Sequence, residues 1–188
     1  MKRGKSPAGK AYWPAFPYPA FTQMTEQDLG HLWAWLQTLE PVSTPNRNHD
    51  TRRTRLELGM WRMLGFKRGG RSWERAEGEH VRGAYLGNAI GHCGECHTPR
   101  NGIGIPQRRD QHGGTDAPPE PAPSIRAAEL DWSLGELSSF LEDGWTPEGD
   151  VIGGEMGRIV AHGTSKLSIE DRRALAAWVL SIGQAPAD

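Results

Sequence analysis

Two cysteines three positions apart and followed at once by a histidine are the residues here whose types and spacing can do chemistry. They are Cys93, Cys96 and His97, in the run His92-Cys93-Gly94-Glu95-Cys96-His97. This is the C-x-x-C-H pattern of haem c attachment. Each thiol adds to one vinyl group at the porphyrin edge, and two intervening residues let both sulfurs reach while bringing His97 under the iron as proximal ligand. Three other uses of the same residues compete. A structural zinc site usually takes four ligands from two separated pairs, and these are the only two cysteines in the chain. A thioredoxin-like pair calls for a strand before it and a helix opening at the first cysteine, whereas the preceding run has a helical pattern and the following one is Gly-rich. A disulfide at this spacing is strained and staples little.

The elements that must hold this motif follow from hydrophobic spacing. Residues 79–91 read as a helix with Val81, Tyr85, Leu86, Ala89 and Ile90 on its buried side. Gly83 within it costs about 1 kcal/mol relative to alanine, so it predicts the close approach of another helix, the last of the chain. From Thr98 to about Asp131 the sequence is loop-like, with Gly102, Gly104, Gly113, Gly114 and four prolines between 118 and 123; a haem gives such a loop something to wrap. Ser133 and Glu136 form a capping box for a short helix that Gly144 closes. Gly149 to Gly163 reads as a second loop, holding Met156 among glycines, before Ser168 and Asp171 cap a final helix with Leu175, Ala176, Trp178, Val179 and Ile182 as its stripe. Upstream, residues 1–24 read as an ordered loop. Thr25 and Asp28 then open a helix carrying Leu29, Leu32, Trp33, Leu36 and Leu39, which Pro41 ends. The apolar patch from Leu56 to Phe66 fits a short helix lying on the protein itself or making a peripheral membrane contact.

Of 188 residues, 36% are hydrophobic, 24 are Gly and 14 are Pro, a composition in which a bound group must supply part of the burial. The net charge of −1 gives no case for nucleic acid. The charge is unevenly spread: +1 over residues 1–40, +5 over 41–78 and −7 over 79–188. The sequence holds no apolar run of membrane-spanning length. Met1-Lys2-Arg3-Gly4-Lys5 imitates the start of a signal peptide, but Lys10 and the prolines at 7, 14, 17 and 19 deny it an apolar core.

The start of the chain repeats its end. Gly4, Pro7 and Gly9 match Gly144, Pro147 and Gly149 at an offset of 140, which sets Phe16 opposite Met156; Asp28, Leu32, Ala34, Trp35 and Leu36 match Asp171, Leu175, Ala177, Trp178 and Val179 at 143. The expected organisation is therefore residues 1–40 as the C-terminal half of a cytochrome c-like domain lacking its haem-attachment half, 41–78 as a basic linker, and 79–188 as a complete mono-haem domain. Met24 matches the apolar position of Leu167, and core packing is its expected role. Met1 is expected to be an internal methionine of a longer protein whose upstream part carries the export signal and a further attachment motif.

The run from His92 to Asn101, the preceding Arg82-Gly83-Ala84-Tyr85-Leu86 and the Met156 loop followed by Leu167-Ser168-Ile169-Glu170-Asp171-Arg172 resemble class I c-type cytochromes. More narrowly they are similar to the multi-haem cytochrome c subunits of bacterial periplasmic dehydrogenases for alcohols, aldehydes and sugar acids, in which Met often stands at the Phe16 position. The resemblance implies an all-α class I cytochrome c fold with a partial second cytochrome-like domain, and one covalent haem c on Cys93 and Cys96. It implies His97 as proximal and Met156 as distal ligand, with Trp132 near the haem. With both axial positions filled, the implied role is an electron carrier, not an enzyme. Electrons would pass from the catalytic subunit of a periplasmic dehydrogenase toward a quinone or oxidase of the respiratory chain. Two alternatives stay open: a haem sensor or peroxidase-like protein in which Met156 merely packs in a loop core, and a zinc-binding module. The remaining histidines, His31, His49, His80, His92, His112 and His162, have no spacing that argues for ligation.

Overall fold

The computed structural model describes residues 1–45, 47, 54–67, 70–117 and 120–184. Among these described residues seven α-helices follow in order: α1 (Tyr18–Phe21), α2 (Glu26–Leu36), α3 (Arg55–Gly65), α4 (His80–Tyr85), α5 (Leu134–Asp143), α6 (Gly154–His162) and α7 (Ile169–Val179). Among the described residues β structure is confined to four isolated antiparallel bridges, so the all-α expectation holds. The caps read from the sequence form. Thr25, Ser133 and Ser168 accept the N–H of Asp28, Glu136 and Asp171, and Glu136 closes a full capping box. Gly144 ends α5 at φ +80°, where a side chain would be strained.

Helix α4 continues through a π turn, Leu86–Ile90, in which Gly91 N–H reaches back to Leu86 O at 2.7 Å. Two glycines four apart lie where it meets α7. A Cβ on Gly83 would sit 1.9 Å from Ala174 O, and one on Gly87 would sit 2.0 Å from Trp178 Cζ3. The close approach inferred from Gly83 is therefore real, and its partner is the last helix. Around this crossing Ala84, Leu86, Leu137, Phe140, Leu141, Leu175, Ala176, Trp178 and Val179 form the main core, joined at its margin by Trp132, Ile152 and Met156. Asp171, in the first turn of α7, takes two hydrogen bonds from the Arg82 guanidinium, at 2.8 and 2.6 Å, which fixes the register of the crossing.

The other face of α4 receives the N-terminal segment. Met24, Tyr85 and Ala89 form a second buried cluster, which gives Met24 the packing role expected of it. Tyr85 Oη donates to Asp28 Oδ2, and Trp73 Nε1 donates to Gln23 O at 3.1 Å. Trp73 belongs to a 3₁₀ turn, Ser72–Arg75, that the sequence did not announce.

The internal repeat is visible in backbone geometry. Lys5 bridges to Ala11 as Trp145 does to Val151, each pair 140 apart. Gly4 and Gly9 have φ of +56° and +79°, Gly144 and Gly149 +80° and +90°. Tyr12 N–H bonds Gly4 O at 2.9 Å, and Ile152 N–H bonds Gly144 O at 2.9 Å. Helices α2 and α7 are both eleven residues long and start 143 apart. Their burial differs sharply. Trp178 is 7% exposed against Gly87, whereas its counterpart Trp35 is 57% exposed, and α2 contains no buried residue. The amphipathic stripe of α2 is formed but only partly covered: Leu29 packs against the second cluster, while Trp33 and Leu36 are exposed.

Two segments depart from expectation. Residues 154–162, read as loop, form α6, because Met156 and Val160 fall one helical turn apart and their burial outweighs the cost of Gly154 and Gly157. Tyr18–Phe21, within the N-terminal segment read as loop, form the short helix α1, whereas the apolar patch of the linker 41–78 forms the short helix expected of it, α3, started by the Thr54 and Glu57 capping box. Residues 46, 48–53 and 68–69 of that linker lie outside the described residues, as do Pro118 and Pro119 of the proline cluster.

Candidate haem-attachment site

The chain leaves the π turn of α4 at Gly91 and reverses at His92, whose φ of +43° is left-handed. Phe21 packs edge-on against the His92 ring at 5.7 Å. Cys93–Glu95 then make a 3₁₀ turn, and His97 N–H closes it on Cys93 O at 3.0 Å. The turn is braced from outside. Arg100 donates to Glu95 O at 3.1 Å and Glu95 Oε2 at 2.5 Å, and to Gly104 O at 3.1 Å. Gly94 faces His112 and Thr98; a Cβ there would lie 3.3 Å from His112 Nε2, tight for any larger residue.

His97 is oriented by a group the sequence did not single out. Its Nδ1 lies 2.7 Å from Pro123 O. A carbonyl oxygen can only accept, so Nδ1 carries the proton and Nε2 keeps its lone pair for a metal. Burial holds the His97 pKa below the ordinary histidine value, with the Pro123 hydrogen bond opposing, so the ring is neutral at neutral pH. A neutral imidazole fixed through one nitrogen is the form that ligates.

Burial pushes the Cys93 thiol up to about 11 and raises that of Cys96, with the Glu95 charge adding to the second. Both therefore stay protonated thiols at neutral pH. A redox-active C-x-x-C sits at a helix N-terminus with a lowered thiol pKa, so this turn has the opposite character. Both cysteines are free, which leaves the disulfide alternative unmade. Among the described residues no three His, Cys, Asp or Glu side chains are placed together to hold a metal ion.

Met156 stands on a different element, in the first turn of α6, half-buried against the main core. The segment 120–123 ties it to His97. Pro123 O takes the His97 bond, while Glu120 Oε2 accepts from Glu155 N–H at 3.0 Å, capping α6 one residue before Met156. Trp132 packs on Phe140 with ring centroids 5.0 Å apart, at the margin of the same core. His112 was dismissed in the sequence, yet it is 4% exposed, adopts φ +64°, and its Nε2 has no hydrogen-bond partner. Its backbone N–H bonds Thr98 Oγ1 at 3.1 Å, and its ring stacks edge-on with Trp178 at 5.5 Å. His49 lies outside the described residues. No local signal marks Glu120, Pro123 or His112, since each acts across a loop.

Two thiols on one turn, a neutral imidazole with a free Nε2 and a thioether on a neighbouring helix are a donor set that fits a covalently held haem. Similarity agrees. A diheme cytochrome c-type protein of Cereibacter sphaeroides is 41% identical over 191 residues, which cover 95% of this chain and 62% of that protein. The chain is related to the c-type cytochromes. The cytochrome c subunit of a quinone alcohol dehydrogenase of Gluconacetobacter polyoxogenes is 33% identical, covering 99% of this cytochrome-like chain and 43% of that subunit. The gluconate 2-dehydrogenase cytochrome c subunit of Pantoea cypripedii is 29% identical, with coverage of 97% and 45%. The chain thus spans about two fifths to three fifths of these relatives. No family model matches it. Among the described residues no helix is long and apolar enough to cross a membrane.

Proposed function

We propose that this chain is a one-electron carrier that holds a single haem c through thioethers at Cys93 and Cys96, with His97 and Met156 as axial ligands. The observation that carries the reading is the Nδ1–H of His97 donated to Pro123 O in the turn that holds the two thiols, which leaves the Nε2 lone pair free for a metal. When bound, haem c supplies a one-electron Fe(III)/Fe(II) couple. The chain's own part is to position and to exclude. Pro123 holds the His97 ring in one tautomer and orientation, Glu120 and the α6 cap hold Met156 in place, and the α4–α7 core keeps water from that side. A soft Met thioether favours the reduced metal and raises the potential. A haem held by both His97 and Met156 would keep no open position for a substrate, which fits a carrier and not a catalyst.

The names of the relatives support a donor of the dehydrogenase class; the proposed setting is periplasmic, as covalent haem c attachment implies, and the acceptor would be a quinone or an oxidase. Residues 1–40 are proposed as the C-terminal half of a second cytochrome-like domain, 41–78 as a basic linker and 79–188 as the mono-haem domain. The repeated turn geometry supports this, as does a groove of about 440 Å³ in which Phe16, Leu32 and Leu36 take the repeat positions of Met156, Leu175 and Val179. The test is Met156→Ala in the haem-loaded protein. It should abolish the sulfur-to-iron band at the far red of the oxidised spectrum and lower the potential. A wild-type spectrum in the variant would leave Met156 as a packing residue and favour an open distal site, as in a sensor or peroxidase-like protein.

A further inference from the structure

His112 is 4% exposed, its φ of +64° is left-handed, and its Nε2 meets no hydrogen-bond partner among the described residues. A buried polar atom without a partner and a side chain at positive φ each cost stability. Together they mark a residue kept for what it holds in place.

The backbone bonds explain the angle. His112 N–H donates to Thr98 Oγ1 at 3.1 Å, and its carbonyl oxygen accepts from Ile125 N–H at 3.0 Å and from Ser124 Oγ at 3.3 Å. Two residues on, Gly114 N–H donates to His97 O at 3.0 Å. Residues 112–114 therefore grip His97 by its main chain. They also hold 124–125, directly after the Pro123 carbonyl that fixes the His97 ring.

The ring explains the residue type. It stands edge-on to Trp178 of α7, with centroids 5.5 Å apart, and Trp178 in turn fills the notch at Gly87 of α4. On the other side a Cβ placed on Gly94 would lie 3.3 Å from His112 Nε2 and 3.7 Å from Cδ2. The ring thus spans the distance from the α4–α7 crossing to the middle of the C-x-x-C turn. At φ +64° few residues can fill that span. Asn and Asp tolerate the angle but are shorter, bulky and β-branched apolar residues are outliers there, and His is the tolerant residue that carries a ring. The unpaired Nε2 follows from that compromise.

We propose that His112 is a positioning residue for the haem. Its ring, set between Trp178 and Gly94, fixes the depth of the Cys93–Cys96 turn against the core and, through residues 124–125 and Pro123, the orientation in which His97 presents Nε2. This rests on the reading of His97 as an axial ligand. His112 binds no iron itself; it acts through the turn and through the Pro123 carbonyl.

Two experiments test it. His112→Gly keeps the positive φ and removes only the ring. In the full chain before haem is attached, Gly94→Ala should lower the urea midpoint in the parent, where the new methyl meets Nε2, and leave it unchanged in the His112→Gly background, where that space is open. Additive shifts would overturn the contact between ring and turn. In the haem-loaded full chain, His112→Gly should retain the covalent haem by intact mass. It should shift both the largest g-value of the oxidised electron paramagnetic resonance spectrum, which reports how the axial ligands are set, and the reduction potential. His112→Asn, which keeps the angle and restores part of the side chain, should recover part of both shifts; should His112→Gly fail to fold, the Asn variant reads the same change against the parent. An unchanged spectrum and potential in folded, loaded variants would overturn the proposal and leave His112 a packing residue. A parent chain that takes up no haem would overturn the axial-ligand reading itself, and this proposal with it.

Discussion

Replacing Gly83 by alanine should destabilise this protein and replacing Gly30 by alanine should stabilise it, although both glycines lie inside helices. At position 83 the new Cβ would stand 1.9 Å from Ala174 O and 2.6 Å from Trp178 Cβ. An unstrained contact needs about 3.5 Å, so α4 and α7 must part by roughly 1.5 Å or shear by as much. Overpacking of this kind costs about 1–3 kcal/mol and more when backbone must move. The clash is with backbone, so the upper end of about 3 kcal/mol applies; the gain in helix propensity returns about 1 kcal/mol, leaving a net loss of about 2 kcal/mol. For a chain of this size that lowers the melting temperature by about 4–8 °C. A Cβ on Gly30 meets nothing within 4 Å, so there the propensity gain stands alone and the melting temperature should rise by about 2–4 °C. The assay is thermal unfolding followed by far-ultraviolet circular dichroism on the two variants and the parent. Equal shifts of the two variants, or a rise for Gly83→Ala, would refute the close crossing.

Glu120→Ala should free the first turn of α6, at about 0.5–2 kcal/mol for the lost cap and toward the low end because the carboxylate is exposed. The reading is a weaker far-red sulfur-to-iron band with the haem still attached; an unchanged band would detach Glu120 from Met156. The pH dependence of stability should carry a His112 signature. Burial first, then the nearby His97 and Arg126, hold its folded pKa at about 4. The unfolded ring titrates near about 6.5, so the unfolded state binds the extra proton. The stabilisation is full above that value and lost as pH falls toward about 4, on the order of 3 kcal/mol in all. Urea midpoints across that window should fall in the parent and fall less in His112→Asn, which keeps a residue tolerant of φ +64°. Identical slopes would show that His112 does not drive it.

The parts of the fold legible in the sequence are those written in local chemistry. The motif at Cys93, the caps at Thr25, Ser133 and Ser168 and the closure at Gly144 each depend on residues within a few positions of one another. Gly83 was legible for a different reason: an expensive residue inside a helix implies a neighbour, and the stripe of α7 was the one helix left to supply it. The repeat was legible because matched glycines keep matched backbone angles. What escaped was non-local. Helix α6 was hidden behind Gly153, Gly154 and Gly157, since local propensity argues for a loop and only the burial of Met156 and Val160 makes a helix. Pro123 and Glu120 act through a carbonyl and a carboxylate brought in by a loop whose path no spacing predicts. His112 had no spacing to mark it, because its burial involves Trp178, 66 positions away.

The central claim, a haem held covalently at Cys93 and Cys96, is tested most directly by one mass. The chain would be exported with a supplied signal in a host able to attach haem, then weighed intact under denaturing conditions beside its pyridine haemochrome spectrum. An increment of one haem that survives denaturation, and that disappears when Cys93 and Cys96 are replaced by alanine, is the predicted result. The mass of the bare polypeptide from that host would contradict the account.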